Sequence, residues 1–268
     1  MNFKALAVSL LWMVTLASPA IADDLDEIKA RGTLIVGVKD ATPPFGVLDP
    51  KTQTISGYDI DFAAAIAKRL GVKLLAKAVD SAERIPKLQA REVDLVIATM
   101  TKNAEREKQV DFSGGYFVTG QKFAVRKGKV KNLEDLTRST IGTVKGSTSE
   151  KQLRKEMPNA KVVLFEDYDL AFHALGQGQL DAVSTDEPIL AGQLNKMANK
   201  AQFEITDVSI SIEVYGVAMR KGEKRLQKEV NDTLVGMEQS GEAQRIFDRW
   251  FGPQTSAPLM RLFKINSK

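Results

Sequence analysis

Thr33-Leu-Ile-Val-Gly-Val38, Ile60-Asp-Phe-Ala-Ala-Ala-Ile-Ala-Lys-Arg-Leu-Gly71 and Val72-Lys-Leu-Leu-Ala-Lys-Ala-Val79 decide the fold class when read in order. The first and third are short runs rich in β-branched and aliphatic residues, the pattern of strands. The second repeats apolar residues at helical spacing (Ile60, Ala63, Ala67, Leu70), and Gly71 stands where a helix stops. Downstream, 82–90 reads as a further helix and Val93-Asp-Leu-Val-Ile-Ala98 as a third strand. Strands alternating with helices require crossover connections, so the unit is a parallel sheet flanked by helices.

A second series of the same kind follows a long extended stretch, 116–126. Its strands are expected at 140–144, 162–165 and 180–184, and its helices start at Ser147, near Asp169 and near Thr185. Ser147-Thr-Ser-Glu150 has the residue order of a capping box. A second extended stretch, 212–219, precedes two closing helices, the first with Leu226, Val230, Leu234 and Met237 along one face. With two α/β units joined by two extended connections and no low-complexity linker, the expectation is a strand hinge with a cleft between two lobes. One lobe takes residues 23–116 and 214–268, the other 117–213. Ligands of open α/β sheets sit at the carboxyl ends of the strands. Those ends carry Lys39, Asp40, Thr99, Thr101, Ser147, Thr148, Thr185 and Asp186.

Residues 1–22 are set apart. Lys4 precedes an apolar run, and Ser18-Pro-Ala-Ile-Ala22 places small residues where a signal peptidase cuts, so cleavage after Ala22 and export to a periplasm are expected. The run is too short to span a bilayer. A net charge of +4, evenly spread, does not suggest nucleic acid as a partner. With no cysteine and one histidine, His173, expected on a helix surface or edge, thiolate chemistry and a Ser-His-Asp triad have little to draw on. Nothing calls for a metal or a cofactor, and no catalytic residue is assigned.

Three places carry chemistry. Thr99-Met-Thr-Lys-Asn103-Ala-Glu-Arg106 ends a strand, adds two hydroxyls and places an arginine in the first turn of a helix, where the dipole does not favour a cation. Arg106 is therefore a candidate fork for a bound carboxylate, the alternative being a local pair with Glu105 or Asp111. Lys145-Gly-Ser-Thr-Ser149 is a glycine turn into a helix start, an anion site or a plain cap, and lacks P-loop order. Asp186, at another helix start, is a candidate ammonium acceptor or an ordinary first-turn acid. Together they describe a receptor for a zwitterion.

Gly57-Tyr-Asp-Ile-Asp61, Val93-Asp-Leu95, Thr101-x4-Arg106, Val110-Asp-Phe-Ser113, Gly146-Ser-Thr148 and Leu180-Asp-Ala182 resemble, in order and spacing, the polar amino-acid family of periplasmic solute-binding proteins. Glu83-Arg-Ile-Pro86, the 105–109 segment and Ser240-Gly-Glu-Ala243 look closest to its glutamate/aspartate binders. The resemblance implies a two-lobed type II periplasmic-binding-protein fold, α/β, with two parallel-sheet lobes joined by two crossing strands. It implies a monomer that hands an amino acid to the membrane permease of an ABC importer. It further implies that Arg106, Thr101 and Thr148 hold the α-carboxylate, with Thr99 and Ser147 beside them, and that Asp186 takes the α-ammonium. Arg84, Lys39 and Tyr168 fall at side-chain positions. By local sequence alone, Lys39 would be solvated and Arg84 paired with Asp80 or Glu83. Thr42 and Ser81 stand where many relatives clamp the ligand between aromatics, which weakens the case for a large apolar ligand. Glutamine or another polar amino acid, an exported dehydratase on the same scaffold, and a sensory ligand-binding module are the competing readings.

Overall fold

The computed structural model describes residues 24–266; the leader assigned to residues 1–22 lies outside the described residues. Helix α1 (Asp24–Arg31) leads into β1 (Thr33–Val38). A small antiparallel sheet follows, formed by β2 (Ala41–Thr42), β3 (Gly46–Leu48) and β4 (Ile55–Ser56). The first α/β series is completed by α2 (Tyr58–Leu70), β5 (Lys73–Ala78), α3 (Arg84–Gln89), β6 (Leu95–Val96) and α4 (Ala104–Glu107). Helix α2 forms because Phe62, Ala63, Ile66, Ala67 and Leu70 recur on one face and are buried. Gly71 closes it in a left-handed conformation (φ 72°), which lets Val72 N–H reach the Ala67 carbonyl. The helix starts at Tyr58, two residues before Ile60, because the Tyr58 ring has its own place in the core.

Strand β7 (Asp111–Arg126) is 16 residues long and leads into the second series. This comprises β8 (Thr140–Val144), α5 (Thr148–Glu156), β9 (Lys161–Phe165), α6 (Tyr168–Gly176), β10 (Ala182–Asp186), α7 (Glu187–Lys196) and β11 (Phe203–Ile205). Strand β12 (Ser211–Met219) returns, and α8 (Lys224–Gln239) and α9 (Glu242–Phe251) finish the regular structure. The last strand of the second series lies at 182–186, two residues beyond the 180–184 read from hydrophobicity. The sheet order is β5-β1-β6-β12-β7-β10-β8-β9, with β11 also on β7. Strand β1 is parallel to β5 and β6, and β8 is parallel to β9 and β10, while β7 and β12 pair antiparallel as the ribbon between the two trios. These are the two parallel sheets and two crossing strands of the type II binding-protein fold.

The ribbon is anchored on one side by rings. Phe117 of β7 packs against Phe45, Tyr58, Tyr215, Phe247 and Phe251 with centroids 5.0 to 6.1 Å apart. Such pairs add about 0.5–1.5 kcal/mol each beyond the area they bury. This cluster packs one end of the ribbon against α2 and α9. The second series has its own core of Phe123, Val125, Leu136, Ile141 and Leu153. Among the described residues no helix is long and apolar enough to cross a membrane.

Candidate functional site

The carboxyl ends of the strands in both trios meet around Gly146. Arg84 is buried at the start of α3; its Nε donates to Ser81 O, its Nη1 to Ala98 O and Thr99 O, and its Nη2 to Gly146 O at 3.5 Å. It pairs with neither Asp80 nor Glu83, since Lys87 takes Glu83. Arg106 is also buried, beside the Asn103 cap of α4, and donates from Nη1 to Thr101 O and from Nη2 to Gly146 O. Nor do the two carboxylates near it in sequence hold it: Glu105 pairs with Lys151, and Asp111 with Lys221 and Lys224. A guanidinium has five N–H donors. Arg106 therefore keeps several for an incoming anion, while Arg84 is largely engaged by backbone. Burial, then the neighbouring Arg84 charge, lowers Arg106 to about 9.

The two series touch closely here. Gly146, at φ +74°, brings its backbone against Ala82; a Cβ there would stand 2.7 Å from Ala82 Cα. Thr101 Oγ1 faces Thr148 Oγ1 at 3.4 Å, and Gln193 Nε2 donates to Ala41 O. Ser147 caps α5 by accepting from Glu150 N while donating to Val144 O, so its hydroxyl is locally engaged. Glu150 reaches back to Gly146 N rather than to Ser147 N, one residue beyond a standard capping box, because the turn at Gly146 exposes that N–H. Thr99 likewise directs its hydroxyl to Ala98 O. Its own backbone is held at φ +48°, an uncommon conformation for a non-glycine, by Asp59 accepting from its N–H and Arg84 donating to its carbonyl.

Asp186 occupies the N-cap position of α7 but makes no cap hydrogen bond. Its Oδ2 accepts from the buried Tyr215 hydroxyl, and its Oδ1 is buried without a partner among the described residues. Burial first, then the charge of Glu213, raises this carboxyl to about 7, against the lowering effect of Tyr215, Arg84 and Arg106. Thr185 donates to Tyr168 OH at 2.6 Å at the same corner. Lys39 is buried rather than solvated; its Nζ donates to Val79 O, and burial, then Arg84, lowers it to about 8. Among the described residues, Lys39, Arg84 and Arg106 have no carboxylate within ion-pair distance. The arrangement thus offers an anion a guanidinium fork, a cation one carboxylate oxygen, and a further anion a buried lysine.

Reading by motif passed over Tyr215, Glu213 and Gln121, and gave Asp59, within the 57–61 motif, no role of its own. Tyr215 and Glu213 were detectable, since the two-residue period of Ser211-Ile-Glu-Val-Tyr215 puts 211, 213 and 215 on one face of a strand. A cavity of about 310 Å³ opens beside the site, lined by Ser81, Ile85, Arg106, Gly146, Thr148 and Lys151. A larger one, about 370 Å³, is lined by Phe172, the exposed His173, Gln193 and Lys196; it gathers none of the candidate residues.

The fold and this cleft define a class of two-lobed binding proteins, and comparison with known proteins places the chain within it. Residues 34–253 match the bacterial extracellular solute-binding proteins, family 3, and the chain belongs to that family. It is 41% identical over 233 residues to the ABC transporter glutamine-binding protein of Bacillus subtilis (85% of this chain, 84% of that one). It is 32% identical over 249 residues to the glutamate/aspartate import solute-binding protein of Escherichia coli (88% and 82%). Among solved structures, an ancestral arginine-binding protein bound to glutamine is 42% identical, with a TM-score of 0.78, over 83% of this chain and 99% of that one.

Proposed function

We propose that this protein is the periplasmic substrate-binding component of an amino-acid ABC importer, exported by cleavage after Ala22, and that it performs no reaction on its ligand. The observation that carries the reading is Asp186. This carboxylate is buried at a helix start, is not used as a cap, and among the described residues leaves Oδ1 unpartnered, near Arg106, whose fork keeps free donors. A buried unpaired acceptor is costly unless a donor arrives, and an α-ammonium supplies one while its α-carboxylate meets Arg106, Thr101 and Thr148. In this reading the lobes are 23–116 with 214–268 and 117–213, and a monomer closes on the ligand because Arg106 and Thr148 lie on different lobes.

For the side chain we propose a carboxylate, so that L-glutamate or L-aspartate is the ligand. Lys39 and Arg84 are buried cations without an anionic partner among the described residues, and a ligand carboxylate would provide one. Two observations favour L-glutamine as the second reading. Arg84 already serves three carbonyls of its own lobe, and a relative 41% identical is a glutamine-binding protein. Calorimetric titration with all proteinogenic amino acids tests both. Nanomolar to micromolar binding of glutamate with weaker glutamine is expected. Tighter glutamine binding removes the acidic ligand, and no amino-acid binding at all removes the function. Turnover of a bound ligand would remove the claim that the protein is not an enzyme.

A further inference from the structure

Four buried side-chain nitrogens or oxygens among the described residues have no hydrogen-bond partner, and three of them are acceptors: Gln121 Oε1, Asp186 Oδ1 and Glu213 Oε2. The strand register brings these three together. Gln121 of β7 is the direct partner of Asp186 on β10 and of Ser211 on β12. Residues paired across strands share a face, and Glu213, two residues beyond Ser211, shares it too. All three side chains are at least 95% buried. Their other atoms are fixed. Gln121 Nε2 donates to Ser149 O and Ser184 Oγ, which determines which way its amide points, and Glu213 Oε1 accepts from Ser211 Oγ. What remains is three buried acceptor oxygens on one face of these strands, two of them, on Asp186 and Glu213, near enough to Arg106 to act on its charge.

A group matching such a set must donate in several directions, and a primary ammonium has three N–H bonds and no lone pair. We propose that Glu213 and Gln121 complete, with Asp186, a three-acceptor pocket that selects an unsubstituted α-ammonium; this rests on the amino-acid-binding reading above. Glu213 adds a second negative charge on the ribbon itself, so the ammonium is held by groups from β10 and from both crossing strands. N-alkylated amino acids are excluded, because each alkyl group removes a donor and puts carbon against a buried oxygen.

The test uses L-glutamate, L-glutamine and their Nα-methyl derivatives, titrated calorimetrically into wild type and into Asp186→Asn, Glu213→Ala and Glu213→Gln, each checked for a wild-type circular dichroism spectrum. Wild type should bind the tighter parent at least roughly a hundredfold better than its Nα-methyl form. Glu213→Gln keeps the shape but loses the charge, and should weaken the parent roughly ten- to a hundredfold, the range for hydrogen bonds to charged groups. Glu213→Ala should also reduce the parent-to-methyl ratio by about tenfold or more, since the methyl group now has room. With Asp186, facing Arg84, Arg106, Tyr168, Tyr215 and Glu213, relieved of the nearest like charge, the acid limb of binding should move to lower pH in Glu213→Gln. Parent affinity within twofold of wild type in Glu213→Gln overturns the proposal; so does an unchanged parent-to-methyl ratio in Glu213→Ala. If wild type binds neither parent, the amino-acid reading itself has failed, which is a distinct result.

Discussion

Arg84 and Arg106 are the same residue type, both buried, both near the start of a short helix, and both donate to the carbonyl of Gly146. They differ in their remaining donors. Arg84 directs Nε and Nη1 to three carbonyls of its own lobe and holds Thr99 in its strained conformation. Arg106 directs only Nη1 to its own lobe, at Thr101 O. Burial and positive charge alone therefore do not identify an anion receptor. The donors left after the backbone has been served do, because each bond to a buried carbonyl is one the ligand must either share or forgo.

The largest effect that would break this contrast is expected at Arg106. Arg106→Ala should lose about 2–5 kcal/mol of ligand binding, roughly thirty- to several-thousand-fold, because the α-carboxylate is left buried and unpaired. Arg106→Lys should recover little of it, since an ammonium cannot reproduce the planar fork. Calorimetric titration of both variants measures this, and near-native affinity in Arg106→Ala would contradict the assigned role.

Arg84→Met should instead show first in stability. Thr99 Oγ1 still serves Ala98 O, but the Ser81 and Thr99 carbonyls lose their Arg84 donor, at about 1–3 kcal/mol for each left unpaired, so a loss of about 2 kcal/mol or more is expected in urea unfolding without ligand. If Arg84 also faces a ligand carboxylate, the glutamate-to-glutamine affinity ratio falls too. An unmoved ratio with reduced stability would make Arg84 a purely architectural residue.

Gly146, the carbonyl both arginines share, gives a smaller effect. A methyl group there meets Ala82 Cα and suffers at φ +74°, so Gly146→Ala should weaken ligand binding by roughly tenfold, about 1.4 kcal/mol, through impaired closure. Small-angle scattering with and without ligand should then show less compaction than in wild type.

The smallest effect concerns Lys39. Its folded value of about 8 lies below its ordinary value, so its positive charge is present below pH 8 and lost as pH rises through it. Between pH 7 and 9 glutamate should accordingly lose up to about tenfold more affinity than glutamine, and Lys39→Met should abolish that difference. Parallel titrations at constant ionic strength would sharpen or remove the acidic-ligand reading.

Much of the architecture was legible along the chain. Alternating strand and helix periods, Gly71 and the Ser147 cap are local signals, carried by residues within a few positions of one another. The polar character of the strand ends was visible in the same local pattern. Less visible were the residues that share the cleft only because strands from distant parts of the chain lie side by side. Tyr215 reaches Asp186 across 29 positions, and Asp59 reaches Thr99 across 40. Such pairs leave no periodic trace in a single sequence.

By itself, then, the sequence determined the two α/β series, the extended connections between them, the family resemblance and the placing of Arg106 and Asp186 at helix starts. Each depends on backbone preference and side-chain period over one or two turns. The tertiary structure alone decided which of these polar groups is free. Ser147, Thr99 and most of Arg84 are engaged by nearby backbone, while Asp186 Oδ1, Glu213 Oε2 and Gln121 Oε1 are left as acceptors. The physical reason is that hydrogen-bond satisfaction is a property of the packed interior. Whether a donor finds an acceptor depends on every chain segment within about 3 Å, and sequence distance does not enter.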